Sequence, residues 1–204
     1  SVSGTGQNVG AGVGQVNSCT VRYCANYAHV SSSYNGNARL GGIVGWLRSA
    51  GGTNNHLEYC INYGAVNGQS YVGGIVGSHG DGYVQYCQNY ATITGTGTTA
   101  AGIMGWSTAV VNNYTHNHNG GNTVAGTGST NATKRYFISN QSGSANLDSS
   151  NTFLNTLTVT LGGNVYTYTS PQISGYVKGA TPVSSNPAGI TIGGTTYGPT
   201  TPAP

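Results

Sequence analysis

The chain of 204 residues holds 35 glycines and 15 tyrosines, only 4% of it is charged, and its formal net charge is +3. Its 6 Lys and Arg are scattered, which leaves no basic stripe to follow a phosphate backbone, and no apolar run is long enough to span a bilayer, so neither nucleic acid nor a membrane span is expected. With 18 Val, 9 Ile, 7 Leu and 2 Phe, a wide globular core is not expected either; solubility must come from Ser, Thr, Asn, Gly and Tyr or from attached groups.

Residues 1–20 read as an exposed Gly/Ser/Val arm that runs into a partial motif, Gly10-Ala11-Gly12-Val13-Gly14. The full motif is Gly41-Gly42-Ile43-Val44-Gly45, and it returns as Gly73-Gly74-Ile75-Val76-Gly77 and as Ala101-Gly102-Ile103-Met104-Gly105. A second motif keeps step between them: Tyr23-Cys24-Ala25-Asn26-Tyr27, Tyr59-Cys60-Ile61-Asn62-Tyr63 and Tyr86-Cys87-Gln88-Asn89-Tyr90, each followed by an aliphatic echo at Val30, Val66 or Ile93. The glycine motifs start at 10, 41, 73 and 101, a period of 28 to 32 residues whose variation belongs in loops, as in solenoids.

Polar alternation such as Ala91-Thr92-Ile93-Thr94, and the lack of any capped stripe of helical period, make each repeat a coil of about three short strands. The expected fold is all-β: a short right-handed parallel β-solenoid of about four coils over residues 1–118, best formed at about 41–72 and 73–100. Within the Tyr-Cys motif, alternation puts Cys60 and Asn62 on one face. If that face is inward, Asn26, Asn62 and Asn89 stack into an amide ladder, the tyrosines lie outside or at a corner, and Gly42, Gly74 and Gly102 sit where backbones crowd. At the fourth unit Val110-Val111-Asn112-Asn113-Tyr114 replaces the Tyr-Cys start, which suggests a degenerate cap.

Residues 119–150 read as a polar connector, interrupted by a possible strand at Lys134-Arg135-Tyr136-Phe137-Ile138. Over 151–204 a small β-hairpin-rich module with a Pro/Thr-rich tail is expected. Leu157–Leu161 and Asn164–Tyr168 flank a Gly162-Gly163 turn, pairing Val159 with Tyr166 and Leu157 with Tyr168. Ile190-Thr191-Ile192 and Thr195-Thr196-Tyr197 repeat the idea in shorter form, and Tyr176-Val177-Lys178 lies between the two.

The paired GGIVG and YCxNY motifs resemble the GLUG repeat of microbial cell-surface and secreted proteins, over roughly residues 10–117. The resemblance implies a β-solenoid within large extracellular proteins, often of unassigned role, and carries no catalytic residues across.

Chemistry is thin. The acids are Glu58, Asp81 and Asp148, and the repeat register sets Glu58 above Gln85, so no glycosidase pair is expected. Ser78-His79-Gly80-Asp81 holds triad residue types too close in sequence to form a triad, and reads as a turn. His116 and His118 could share a strand face, a weak metal pattern without a third ligand, so solvated or hydrogen-bonded histidines are the better reading. Gly95-Thr96-Gly97-Thr98-Thr99-Ala100 lacks the helix that a dinucleotide fingerprint requires. No cofactor is expected, and the chain is read as not an enzyme.

An even set of four cysteines in so polar a chain suggests an oxidising, extracellular setting. Cys60–Cys87 is geometrically possible across stacked strands, with Cys19–Cys24 as the remainder; alternatively Cys24, Cys60 and Cys87 share one repeat position as apolar thiols filling a core. Asn113, Asn131 and Asn140 begin N-glycosylation sequons, and Thr200 and Thr201 lie in a tail of O-glycosylated composition. No basic, apolar leader opens the chain, which reads as a processed or excised mature segment. The function expected is therefore a glycosylated structural subunit of an extracellular filament or cell-surface layer, a homo-oligomer or polymer built by tail and edge-strand contacts. The alternative is an adhesin or carbohydrate-binding module of a larger secreted protein, with a flat ice-binding face as a variant.

Overall fold

The structure, a computed structural model, describes residues 1–48, 55–97, 99–107 and 116–123, and the backbone alone at 114–115, 124–125, 152–153, 156–161, 164–169, 190–192 and 195–197. The chain passes five faces in turn. The first pass contributes β1 (Val2–Gly4), β2 (Asn8–Gly10), β3 (Val13–Val16), β4 (Thr20–Arg22) and β5 (Ala25–Asn26). The second contributes β6 (Val30–Ser32), β7 (Arg39–Gly41), β8 (Val44–Leu47), β9 (His56–Glu58) and β10 (Ile61–Asn62). The third has β11 (Val66–Gly68), β12 (Val72–Gly73), β13 (Val76–His79), β14 (Tyr83–Gln85) and β15 (Gln88–Asn89). The fourth has β16 (Ile93–Gly95), β17 (Ala100–Ala101), β18 (Met104–Ser107), β19 (Tyr114–Thr115) and β20 (His118–Asn119).

Like strands of successive passes pair in parallel, so each face is a narrow sheet running along the solenoid axis. The second, third and fourth faces are each four strands deep, and the chain completes three full turns between its first and last passes. The glycine motifs fall in the register read from sequence, with Gly10, Gly41, Gly73 and Ala101 in one column and Val13, Val44, Val76 and Met104 in another. The coil has five strands rather than three. Strands of two to four residues separated by corners as short as Gly42-Ile43 offer no run long enough to show alternation.

Two kinds of corner make this tight winding possible. Between the second and third faces the requirement is space. A Cβ on Gly42 would lie 2.1 Å from the Gly74 carbonyl oxygen and 2.4 Å from the Asn62 amide carbon, so the corner closes only around hydrogen. Between the fourth and fifth faces the chain turns through the left-handed region without glycine: φ is 58° at Tyr23, 53° at Tyr59, 55° at Tyr86 and 55° at His116. That conformation costs about 1 kcal/mol or more for a residue with a side chain.

Inside, aliphatic columns form two clusters. Ile43, Val44, Leu47, Leu57, Ile75, Val76, Val84, Ile103 and Met104 fill the third and fourth faces, and Val30, Leu40, Val66, Val72 and Ile93 the first and second. Toward the fourth pass the columns turn polar: Val16 and Leu47 give way to His79 and Ser107, and Ile93 to Thr123. Residues 1–20, read as an exposed arm, are the first coil, and Val9 and Val16 are buried in it.

The solenoid frame also runs past residue 118. Strands β21 (Thr123–Ala125) and β23 (Thr156–Leu161) extend the first face in parallel, and β22 (Thr152–Phe153) adds to the fifth. The β23 strand and β24 (Asn164–Thr169) form the hairpin read from sequence, with Val159 opposite Tyr166 and Leu157 opposite Tyr168. Through β23 it is hydrogen-bonded to the first sheet of the solenoid. A second hairpin joins β25 (Ile190–Ile192) and β26 (Thr195–Tyr197). The possible strands at 134–138 and 176–178 lie outside the described residues, as do the glycosylation candidates Asn113, Asn131, Asn140, Thr200 and Thr201.

Candidate functional site

The fifth face is built on the expected amide ladder, which is one member longer than the sequence reading had it. Asn26, Asn62, Asn89 and Asn119 stand in register, all buried. Each Nδ2 donates to the Oδ1 of the next coil, at 2.8 Å from Asn26 to Asn62, 2.9 Å from Asn62 to Asn89 and 2.9 Å from Asn89 to Asn119. The second Nδ2 hydrogen goes to the carbonyl two residues on, and the N–H of that residue donates back to Oδ1, as at Gly64 for Asn62 and Ala91 for Asn89. Every polar atom of Asn62 and Asn89 is thus satisfied, which is what permits amides in a solenoid core. The missed member, Asn119, was hidden because the fourth motif begins at His116-Asn117 and not in the segment around Val110. Asn-Gly-Gly after a histidine pair was the available signal.

Beside the ladder runs the cysteine column. All four cysteines are free thiols, so the Cys60–Cys87 and Cys19–Cys24 pairing gives way to the alternative of stacked core thiols. Register stacks Cys24, Cys60 and Cys87 in one column, and each of their Sγ–H groups donates to the carbonyl two residues back, to Arg22 at 3.5 Å, Glu58 at 3.2 Å and Gln85 at 3.3 Å. Burial holds the Cys87 thiol well above its ordinary pKa, so it stays protonated. In the fourth coil Asn117 takes the cysteine position, donating to the Val84 carbonyl and accepting from the Cys87 N–H.

Aromatic columns flank the fifth face at its corners. Tyr23, Tyr59, Tyr86 and His116 stack at 5.2, 4.8 and 4.6 Å between ring centroids, and Tyr27, Tyr63 and Tyr90 at 5.0 and 5.4 Å. The rings cover one another along each column except at the first coil, where Tyr23 is 71% and Tyr27 57% exposed.

The outer side of the second and third faces is closed in a different way. Arg39 stacks on Trp46 at 4.1 Å and bonds to the Asn8 amide oxygen, and Tyr71 packs against Trp106. Ser78 points outward into this Trp46–Trp106 column while His79 points inward over Leu47 and Ser107, so Ser78, His79 and Asp81 form no triad. Burial lowers the His79 pKa to about 3 and that of His118 to about 4, so both are neutral. His116 stacks on Tyr86 and His118 lies against Tyr90, and no group of metal-binding side chains occurs among the described residues. Glu58 pairs in register with Gln85, and Asp81 accepts from the Gly82 N–H, which leaves these two carboxylates in different settings.

The first face carries two columns of small polar residues on its outer side. Ser3, Ser31, Asn67 and Thr94 form one column, and two residues on from each stand Thr5, Ser33, Gln69 and Thr96. Ser31, Ser33, Asn67, Gln69, Thr94 and Thr96 of these columns, with Tyr34, 38% exposed, border an open groove of about 510 Å³ that no charged residue lines.

Among the described residues no helix is long and apolar enough to cross a membrane. Comparison with protein-family models, with curated proteins and with solved structures gives no match.

Proposed function

We propose that the chain is a non-enzymatic structural segment of an extracellular filament or cell-surface layer, glycosylated and assembling with further copies of itself through strand edges. The observation that carries this reading is that, among the described residues, the first coil presents a sheet edge on each of its five faces, at β1 to β5. In that coil Tyr23 and Tyr27 each have a ring neighbour on one side, and Asn26 Oδ1 takes an N–H from Ala28 but no side-chain amide of the kind that reaches Asn62, Asn89 and Asn119. Unpaired parallel edges invite another strand. With 4% charged residues, little repulsion opposes stacking of copies.

The candidate strand donor is the β25–β26 hairpin, which pairs only within itself among the described residues. A lone hairpin is marginal in water, and adding it to an edge supplies the missing ladder bonds. The resemblance to GLUG-repeat surface proteins agrees with this role. Truncation after Ser185 should leave the circular dichroism of the solenoid intact while abolishing fibres in electron micrographs; persistence of the same fibres, or full-length protein that stays monomeric at high concentration, rules the reading out.

A second reading, a glycan-binding segment of a larger secreted protein, is favoured by the uncharged groove on the first face.

A further inference from the structure

The outer columns of the first face differ from the aromatic columns in what their side chains do. Arg39 and Trp46 are stacked on each other, and the corner tyrosines on their neighbours. The amides of Asn67 and Gln69, and the hydroxyls of Ser31, Ser33 and Thr94, hydrogen-bond to no side chain among the described residues. Their donors and acceptors are therefore available to a ligand. Tyr34 stands at one side, its N–H held by the Ser32 hydroxyl, and presents an apolar ring with a polar tip.

We infer that this groove binds a neutral polysaccharide laid along the solenoid axis, with sugar hydroxyls bonded by Asn67, Gln69 and the flanking Ser and Thr, and a sugar ring packed on Tyr34. Three features select that ligand. The lining has donors and acceptors but no charge, which suits hydroxyl-rich neutral chains and offers no opposite charge to a carboxylate or phosphate. The same pair of polar columns recurs on successive strands about 4.8 Å apart, so the site repeats along its length as a polymer does. The groove is shallow and open to solvent, which would enclose a small molecule poorly but can seat a stretch of a longer chain. This deepens the glycan-binding reading and does not depend on assembly.

The test is surface plasmon resonance of the full chain over immobilised hydroxyethyl cellulose, galactomannan and dextran, with polygalacturonate as the charged comparison. Saturable binding to at least one neutral polymer is expected, insensitive to added salt. The Asn67→Ala/Gln69→Ala double variant should bind about tenfold or more weakly, from the loss of at least two net hydrogen bonds of about 1 kcal/mol each. Tyr34→Ala should also weaken binding, whereas Tyr27→Ala at the fifth face should not; circular dichroism checks that each variant is folded. Neutral-polymer binding unchanged in the double variant would overturn the groove while leaving a glycan-binding role elsewhere on the chain. Binding to polygalacturonate alone would overturn the neutral-ligand proposal while leaving a glycan-binding role, and binding to none of the four polymers would overturn both.

Discussion

Asn62 and Asn67 stand on consecutive strands and have the same side chain, yet one is buried with every polar atom paired and the other faces solvent with its amide unclaimed. The inner amide is a structural device: its bonds run up and down the stack and across to the backbone, and no ligand could reach them. The outer amide does nothing for the fold. In a solenoid the inner columns record what the coil needs, and only the outer columns are free to record what it binds.

The sharpest way to break the inner side is through the glycines that make room for it. A Cβ on Gly74 would fall 2.0 Å from the Gly102 carbonyl oxygen and 2.5 Å from the Asn89 amide carbon, so Gly74→Ala must displace both the next coil and the ladder. We expect a loss of more than about 4 kcal/mol, from backbone displacement combined with broken buried hydrogen bonds. Gly6, around which a Cβ meets nothing within 4 Å, should accept alanine within about 0.5 kcal/mol. Urea denaturation of the two variants decides, and equal losses would show that the glycine column is not what closes the corner.

Asn62→Ala comes next. It removes four hydrogen bonds and strands the Asn26 amide and the Asn89 oxygen inside the core. The expected cost is about 3 kcal/mol, against about 0.5 kcal/mol or less for Asn67→Ala. If the two asparagines prove equal, the ladder contributes no stability.

Much of this inner side could be read from the sequence. Gly-Gly-Ile-Val-Gly and Tyr-Cys-x-Asn-Tyr recur because a stacked coil needs the same residue at the same depth on each pass, so the ladder from Asn26 to Asn89 and the glycine register were visible. Asn119 was not, since Tyr and Cys, which flag the motif, are replaced by His116 and Asn117. Five faces were read as three because a strand such as Ile61-Asn62 is too short to alternate. The first-face columns were invisible for a deeper reason. Ser3, Ser31, Asn67 and Thr94 share a position but no single residue type, since packing imposes none outside, and which outer face stays uncovered depends on the cross-section of the whole coil.

Acid should separate the two sides as well. Burial holds His79 near a pKa of about 3 and His118 near about 4, both below the 6.5 of an unfolded histidine. Above 6.5 both states are neutral and full stability is present; as the pH falls below 6.5 the unfolded chain takes up protons that the folded one refuses. Stability is then lost progressively down to about 4 for His118 and about 3 for His79. From His79 alone, about 2 kcal/mol should go between neutral pH and the middle of that window. His79→Leu, which copies Leu47 in the same column, should flatten the slope of urea midpoint against pH; an unchanged slope would mean that His79 is not held neutral.

The smallest effect concerns the tyrosine columns, which lie outside yet have partners and so fall between the two asparagines. Tyr59 is stacked on both sides, 5.2 Å from Tyr23 and 4.8 Å from Tyr86, while its backbone sits at φ 53°. Each stack stabilises by about 0.5–1.5 kcal/mol beyond its area. The left-handed backbone takes back about 1 kcal/mol, because any Cβ crowds the following carbonyl there. Removing the ring therefore loses the stacks whichever small residue replaces it, but only glycine also relieves the backbone. Tyr59→Gly should thus be more stable than Tyr59→Ala by about 1 kcal/mol, the reverse of the usual order for these residues. At Tyr63, which has the same stacking and no left-handed φ, alanine should be the better substitute. Matched thermal melts of the four variants test this, and glycine proving worse than alanine at Tyr59 would mean that its corner stores no strain for the rings to offset.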